Sequence, residues 1–176
     1  MNRTELTKHC KALAKKGVWC IPEAALWALS GYPDKKYLRV ALNRHVKSGW
    51  IEKIAPKLYL NPHCDAPMNA AYRLANFLRP HDTFYMSLES VLHESDWISQ
   101  IPSCLTFITN GRSYVFETRF GRIQFVHTEE DPRLWKEHLS YVPDRQVWEA
   151  SPEKALEDLK RYGKNLDLVI PAEERE

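Results

Sequence analysis

The sequence predicts an α+β protein in two parts: an N-terminal winged helix-turn-helix, then a small α+β domain in which a three-stranded antiparallel meander packs on helices. Three observations predict it. Between residues 33 and 60 an amphipathic helix with a basic outer face runs straight into two short strand-like segments. After residue 100 the apolar spacing changes from helical to short β-branched and aromatic runs. Charge is also divided: residues 1 to 62 hold 12 Lys and Arg against 4 Asp and Glu, whereas residues 63 to 176 hold 13 against 19.

In chain order, residues 3 to 16 predict a first helix, with Leu6, Cys10, Leu13 and Ala14 on one side and Lys8, Lys11, Lys15 and Lys16 on the other. Gly17 ends it, and Val18 to Ile21 suit a short strand. Pro22 stands where a first helical residue would, opening PEAALWAL, which Ser30-Gly31 stops. The turn SGYP leads to the third helix. Pro33 cannot continue a preceding helix, Asp34 can cap a first turn, and Gly49 permits the left-handed residue that closes a last one. Leu38, Ala41, Leu42 and Val46 form its buried stripe. Lys36, Arg39, Asn43 and Lys47 fall opposite, flanked by Lys35 and Arg44. A solvated basic face is the plain reading of such a run, but the continuation favours nucleic acid: Trp50 to Ile54 and Lys57 to Leu60 read as a hairpin around Ala55-Pro56, with Lys53 and Lys57 near its tip. In a winged helix-turn-helix the third helix enters the major groove. Arg39 or Lys36 would read guanine edges and Asn43 an adenine, while Lys47, Lys53 and Lys57 grip phosphates.

Domain boundaries follow from composition. The winged helix occupies residues 1 to 62, a proline-bearing linker 63 to 67, and the second domain 68 to 176. There Ala70 to Leu78 predicts a helix, and Ser87 is read as the N-cap of another that reaches Glu94. Leu105 to Thr109, Tyr114 to Thr118 and Arg122 to Thr128 predict three antiparallel strands joined at Asn110-Gly111 and Phe120-Gly121. Ser151, Pro152 and Glu153 open a last helix whose inward stripe is Ala155, Leu156 and Leu159 and which Gly163 closes; PAEERE reads as a frayed acidic tail.

With 44% hydrophobic and 11% aromatic residues, the composition is globular. No run approaches a membrane span or a signal-peptide core, so the expected compartment is the cytoplasm. Cys10, Cys20, Cys64 and Cys104 show no paired spacing and are expected to be reduced thiols; a metal site would require the fold to gather His9, Cys10, His63 and Cys64. His93-Glu94 begins an H-E-x-x-H pattern whose second histidine is replaced by Trp97. Asp144, Asp158 and Lys160 match the loose spacing of a metal-dependent nuclease, but the latter two lie in a helix pattern, where Glu157, Asp158, Lys160 and Arg161 read as a solvated face. No catalytic residue, cofactor or metal is therefore assigned. The acidic second part suits a protein surface or small ligand better than DNA.

The order of motifs adds a resemblance. WIEKIAPKLYLNP, then TFYMSLESVLHESDWISQIP with the NGRS turn, then SPEKALEDL, resembles the AbiEi family of antitoxins of type IV toxin-antitoxin and phage-abortive systems, over residues 3 to 165. The resemblance implies an autorepressor whose winged helix binds repeats in its own promoter, as a homodimer would, and whose second domain antagonises a co-encoded nucleotidyltransferase-like toxin, by direct contact or otherwise. Lys36, Arg39, Asn43 and Arg44 would lie on the reading helix, Lys53 and Lys57 on the wing. A glycine usually precedes the final wing strand in that family, and here Lys57 stands instead. Two other classes remain open: a plain winged-helix regulator with a ligand-sensing or dimerisation domain, and the nuclease.

Overall fold

The structure, a computed structural model, describes residues 1–162 and 165–174. Gly163, read as closing the last helix, and the final two residues of the acidic tail lie outside these. Residues Ala172–Glu174 of that tail form a 3-10 turn where fraying was expected. The protein is a mixed α+β chain that divides into two compact units, Met1–Ala70 and Ala71–Glu176. No helix among the described residues is long and apolar enough to cross a membrane.

The first unit contains helices α1 (Arg3–Ala14), α2 (Glu23–Ser30) and α3 (Lys35–Lys47) and strands β1 (Cys20–Pro22), β2 (Glu52–Ala55) and β3 (Leu58–Leu60). Each helix has a local reason to start. Asn2 and Glu5 form a capping box on α1, Pro22 sets the extended entry to α2, and the Asp34 carboxylate accepts from the Lys36 amide at 2.8 Å. Gly31 and Gly49 take positive φ, +64° and +69°, and turn the chain out of α2 and α3. Leu6 and Cys10 of α1, Leu26 of α2, and Leu38 and Leu42 of α3 close on Ile21, Ile51 and Tyr59 as one apolar core.

Strand β3 lies between β1 and β2, antiparallel to both. Its ends are tied to the helices. The Glu23 amide donates to the Lys57 carbonyl at 2.8 Å, so α2 starts against the hairpin tip. Asn61, 1% exposed, donates through Nδ2 to the carbonyls of Cys10 and Val18 and accepts from the His63 amide. That side chain joins α1, the approach to β1 and the exit from β3.

The second unit contains α4 (Ala70–Leu78), beginning at the division, then β4 (Phe84–Met86), α5 (Glu89–Glu94), β5 (Cys104–Thr109), β6 (Tyr114–Thr118), β7 (Gly121–His127), β8 (Leu139–Val142), β9 (Val147–Ala150) and α6 (Pro152–Tyr162). The expected antiparallel meander is not what forms. A six-stranded mixed sheet runs β6-β7-β5-β4-β9-β8, in which β5 and β7 are neighbours and parallel, with β6 at the edge. The Asn110-Gly111 corner explains the difference. Instead of folding β6 back on β5, it is bound to the preceding loop: the Asn110 amide donates to the Thr83 carbonyl, and Arg79 donates to the Arg112 carbonyl. The space beside β5 is left for β7, which stacks Phe125 on Phe107 with centroids 5.3 Å apart. Phe84, Phe107, Phe116 and Phe125 share one sheet face, where Arg79, just beyond α4, lies over the last two rings. The opposite face carries Tyr85, Ser87, Thr106 and Ile108 and is covered by α5 and α6.

Two further expectations are corrected on that covered face. Ser87 is not an N-cap; Leu88 is, without a side-chain bond, at φ +59°. The Ser87 hydroxyl instead donates to Asp158 at 2.7 Å, beside Tyr85 at 2.9 Å. Asp158 is therefore not part of a solvated face, although Glu157, Lys160 and Arg161 are exposed. It is 1% exposed and paired at 3.0 Å with Lys154, itself 4% exposed and bonded also to Glu130. Spacing of four along α6 makes this pairing possible. The buried face of the helix is wider than its apolar stripe, because the sheet supplies hydroxyl donors under Asp158. Burial alone would lower the Lys154 pKa, but Asp158 and Glu130 outweigh it and hold the ammonium above its ordinary range. Burial first, and then Asp158, pushes the Tyr85 phenol up. Removing one member of a buried pair leaves the other uncompensated. Asp158→Ala is expected to destabilise the second unit by roughly 3–5 kcal/mol, read as a shifted urea midpoint.

In the first unit, burial pushes the Cys10 thiol up to about 11 and Cys20 up to about 12, from the usual 9.0. A thiol that binds its proton more tightly when folded stabilises fully below pH 9.0 and loses that contribution as pH rises through its folded value. Each can withdraw up to about 1.4 kcal/mol per pH unit inside that window. Melting of the first unit should therefore shift steeply downward above pH 9.0, and Cys20→Ala should flatten the pH slope.

Candidate nucleic-acid interface

Helix α3 buries Leu38, Ala41 and Leu42 and packs Val46 partly against the same core. The remainder of its 13 residues contains no carboxylate. Lys35, Lys36, Arg39, Asn43, Arg44 and Lys47 are all exposed on it, and Lys53 on β2 and Lys57 in the β2–β3 turn are exposed as well. Two lysines stand in the first turn of α3, where the helix dipole disfavours cations by a few tenths of a kcal/mol each. Arg44, His45 and Lys47 in the last turn have the opposite relation, so their basicity is partly explained by the helix alone.

Not every cation is equally available. Lys35 places its ammonium over the Trp27 ring, 4.5 Å from the centroid. Arg39 donates from Nε to Glu23 Oε1 at 2.9 Å; its side chain is 51% exposed while that of Glu23 is 10% exposed. Tyr59 on β3 lies near enough to feel both charges: burial chiefly, and then Glu23, raise its pKa, while Arg39 lowers it. Arg3 of α1 stacks 3.6 Å over Trp50, whose ring also stacks on His45 beyond the buried stripe of α3.

Three residues of this surface were not singled out in the sequence. Glu23 reads there as an acidic residue favouring a helix start, and its pairing with a residue 16 positions away has no local signature. Tyr37 and Val40 are 58% and 45% exposed. Their signal was present but negative: they are large apolar residues off the buried stripe, with Val40 four residues after Lys36 and three before Asn43.

The hairpin tip is unusual in its backbone. Ala55 pairs with Leu58 across Pro56-Lys57, and Lys57 has φ +60°. Proline followed by a positive-φ residue defines a type II turn, a position that glycine fills without steric cost. Register shifts between Lys53 and Ala55, which kinks β2 beside the tip.

In the second unit, Asp144 is exposed in the β8–β9 turn, Lys160 is exposed on α6, and Asp158 has its carboxylate taken up by Tyr85, Ser87 and Lys154. Its oxygens offer no open coordination edge. His93 and Glu94 end α5, where Glu94 pairs with Arg145 at 2.6 Å and accepts from the Tyr72 hydroxyl. Cys10 is in the apolar core of the first unit, and all four thiols are unpaired by disulfides. Among the described residues no three His, Cys, Asp or Glu are gathered to hold a metal ion.

No family model matches the chain, and no curated protein matches it either.

Left-handed backbone costs an L-residue roughly 1–2 kcal/mol, of which glycine recovers part after its own unfolded-state entropy is counted. Lys57→Gly is therefore expected to stabilise the first unit by up to ~1 kcal/mol, seen as a higher urea midpoint with unchanged slope.

Proposed function

We propose that the first unit is a winged helix-turn-helix that binds double-stranded promoter DNA, with α2 and α3 as the helix pair and β2–β3 as the wing. The chain is then an autorepressor and antitoxin of the type its motifs resemble. The observation that carries the DNA reading is the outer side of α3: a carboxylate-free helix with six exposed Lys, Arg and Asn side chains. Its first-turn lysines oppose the helix dipole, a cost that a phosphate backbone would remove. Lys53 and Lys57 extend the positive surface to the hairpin, and Tyr37 and Val40 supply apolar area between the cations.

The antitoxin role rests on the AbiEi-like motifs and on the acidic second unit, whose charge disfavours DNA and leaves it for a different partner. A second reading, a winged-helix regulator whose second unit takes a ligand, is favoured by one observation. An apolar pocket of about 520 Å3 lies in that unit, lined by Phe84, Pro132, Trp135, Leu139 and Trp148. Co-expression with the product of the adjacent reading frame separates the two: an antitoxin restores growth, and a ligand-sensing regulator does not.

For the DNA claim, fluorescence anisotropy with a duplex from upstream of the chain's own coding region is decisive. Replacing Lys36, Arg39 and Asn43 together by alanine should weaken binding at least about 10-fold at moderate salt, because base contacts are lost. Lys53→Ala and Lys57→Ala should each reduce the slope of log affinity against log salt by about 1. Unchanged affinity in the triple variant defeats the assignment.

A further inference from the structure

Arg39 and Glu23 form a pair whose geometry exceeds what stability requires. The Glu23 side chain is 10% exposed, and its contact is with one atom, the Nε of an arginine that is half in solvent. An exposed or half-exposed ion pair contributes at most about 1 kcal/mol. Glu23 also stands in the first turn of α2, where the helix dipole favours a carboxylate. Its effect on Arg39 is larger. Anchoring Nε fixes the guanidinium plane and removes rotamer freedom that would otherwise be lost on binding. Among the described residues it leaves the two Nη groups without a bonded partner, as the outer end of the fork. Parallel donors of that kind match the O6 and N7 acceptors on the major-groove edge of guanine. The carboxylate further offsets the arginine's charge, so Arg39 contributes little to sequence-independent attraction to phosphate.

We propose that Glu23 is a positioning residue for base reading: it holds Arg39 so that its Nη pair reads a guanine, rather than serving as a fold-stabilising salt bridge. This rests on the DNA-binding reading of α3. It is placed to do so because the same residue's amide is bonded to the Lys57 carbonyl, which sets α2 against the hairpin independently of the side chain. Exchanging the side chain alone therefore leaves that backbone tie in place.

The test uses the full chain and the upstream duplex, with each guanine replaced in turn by 7-deazaguanine, which lacks the N7 acceptor. For the natural chain, affinity is expected to fall about 10-fold at one guanine per site, because one of the two acceptors is lost and an arginine donor is left facing carbon. In Glu23→Met, which keeps the side-chain length but has no acceptor for Nε, the same replacement should change affinity by less than about threefold, while binding to an unrelated duplex stays equal or tightens because a negative charge has gone. A merely structural Glu23 would instead weaken both duplexes together and lower the melting temperature, with the guanine sensitivity retained; that outcome overturns the proposal. Should Glu23→Met fail to fold, Arg39→Met removes the donors from the other side of the pair, and retained guanine sensitivity in it is equally fatal. A natural chain that binds with no sensitive guanine refutes this inference alone. One that does not bind the upstream duplex refutes the DNA reading beneath it.

Discussion

The first unit depends on a strand of three residues. Leu58–Leu60 is hydrogen-bonded on both sides, to β1 and to β2, and it is flanked by two ties that are not sheet bonds. At one end the Lys57 carbonyl receives the Glu23 amide; at the other Asn61 reaches the Cys10 and Val18 carbonyls from a position 1% exposed. Buried polar groups left without such partners would cost roughly 1–3 kcal/mol each, so these ties fix the chain path as well as contributing to it. Their consequence is geometric. The start of α2, the hairpin tip and the end of α1 are referred to a common strand, and α3 is packed on the same core through Leu38 and Leu42.

How much of this is legible in the sequence varies with the range of the interaction. Helix α3 could be read closely because every cue is local: Asp34 caps two residues away, Gly49 closes two residues past the last turn, and the buried stripe repeats every three or four. The hairpin was legible for the same reason. The second sheet was not. Asn110-Gly111 is a strong local hairpin signal, yet bonds from Thr83 and Arg79, about 30 residues earlier, decide which strand β5 meets. Strands β4, β8 and β9 have three or four residues each, too short for a period to declare itself. Of the candidate site, the residue types and their exposure could be inferred from helix spacing. The partners could not, because Glu23 with Arg39 and Lys35 with Trp27 are tertiary contacts.

Asp158 shows the same limit from the opposite side. On α6 it belongs by spacing to an exposed stripe with Glu157 and Arg161, and it matched a nuclease pattern. The sheet beneath α6 presents Tyr85 and Ser87 hydroxyls, and Lys154 lies one turn earlier on the same helix. Those donors compensate the carboxylate's desolvation, so it can be buried. Such a pair adds little net stability over apolar packing, but its hydrogen bonds admit one orientation of α6 on the sheet. It acts on packing, and its oxygens are already used.

Departures from local rules occur in both units. In the second unit Leu88 at φ +59° is 4% exposed and the Lys154–Asp158 pair is buried, whereas Asp96, Gln146 and Asn165 take positive φ at exposed positions. The buried pair is surrounded by groups that account for it. In the first unit the departures face outward: two lysines against the α3 dipole, Lys57 at φ +60°, and Tyr37 and Val40 left in water. Lys35 rests on the Trp27 ring and the Tyr37 ring lies 6.4 Å from that of Tyr32, but Lys36 and Val40 face solvent and the Lys57 backbone is left-handed. Local strain that the structure does not repay is expected where a ligand repays it. An anionic partner with apolar groups between its charges would engage the exposed side chains together: phosphates the lysines, and base edges the exposed tyrosine and valine. Duplex DNA has that composition, which is the reason it is the partner proposed for the α3 face and the adjoining turn.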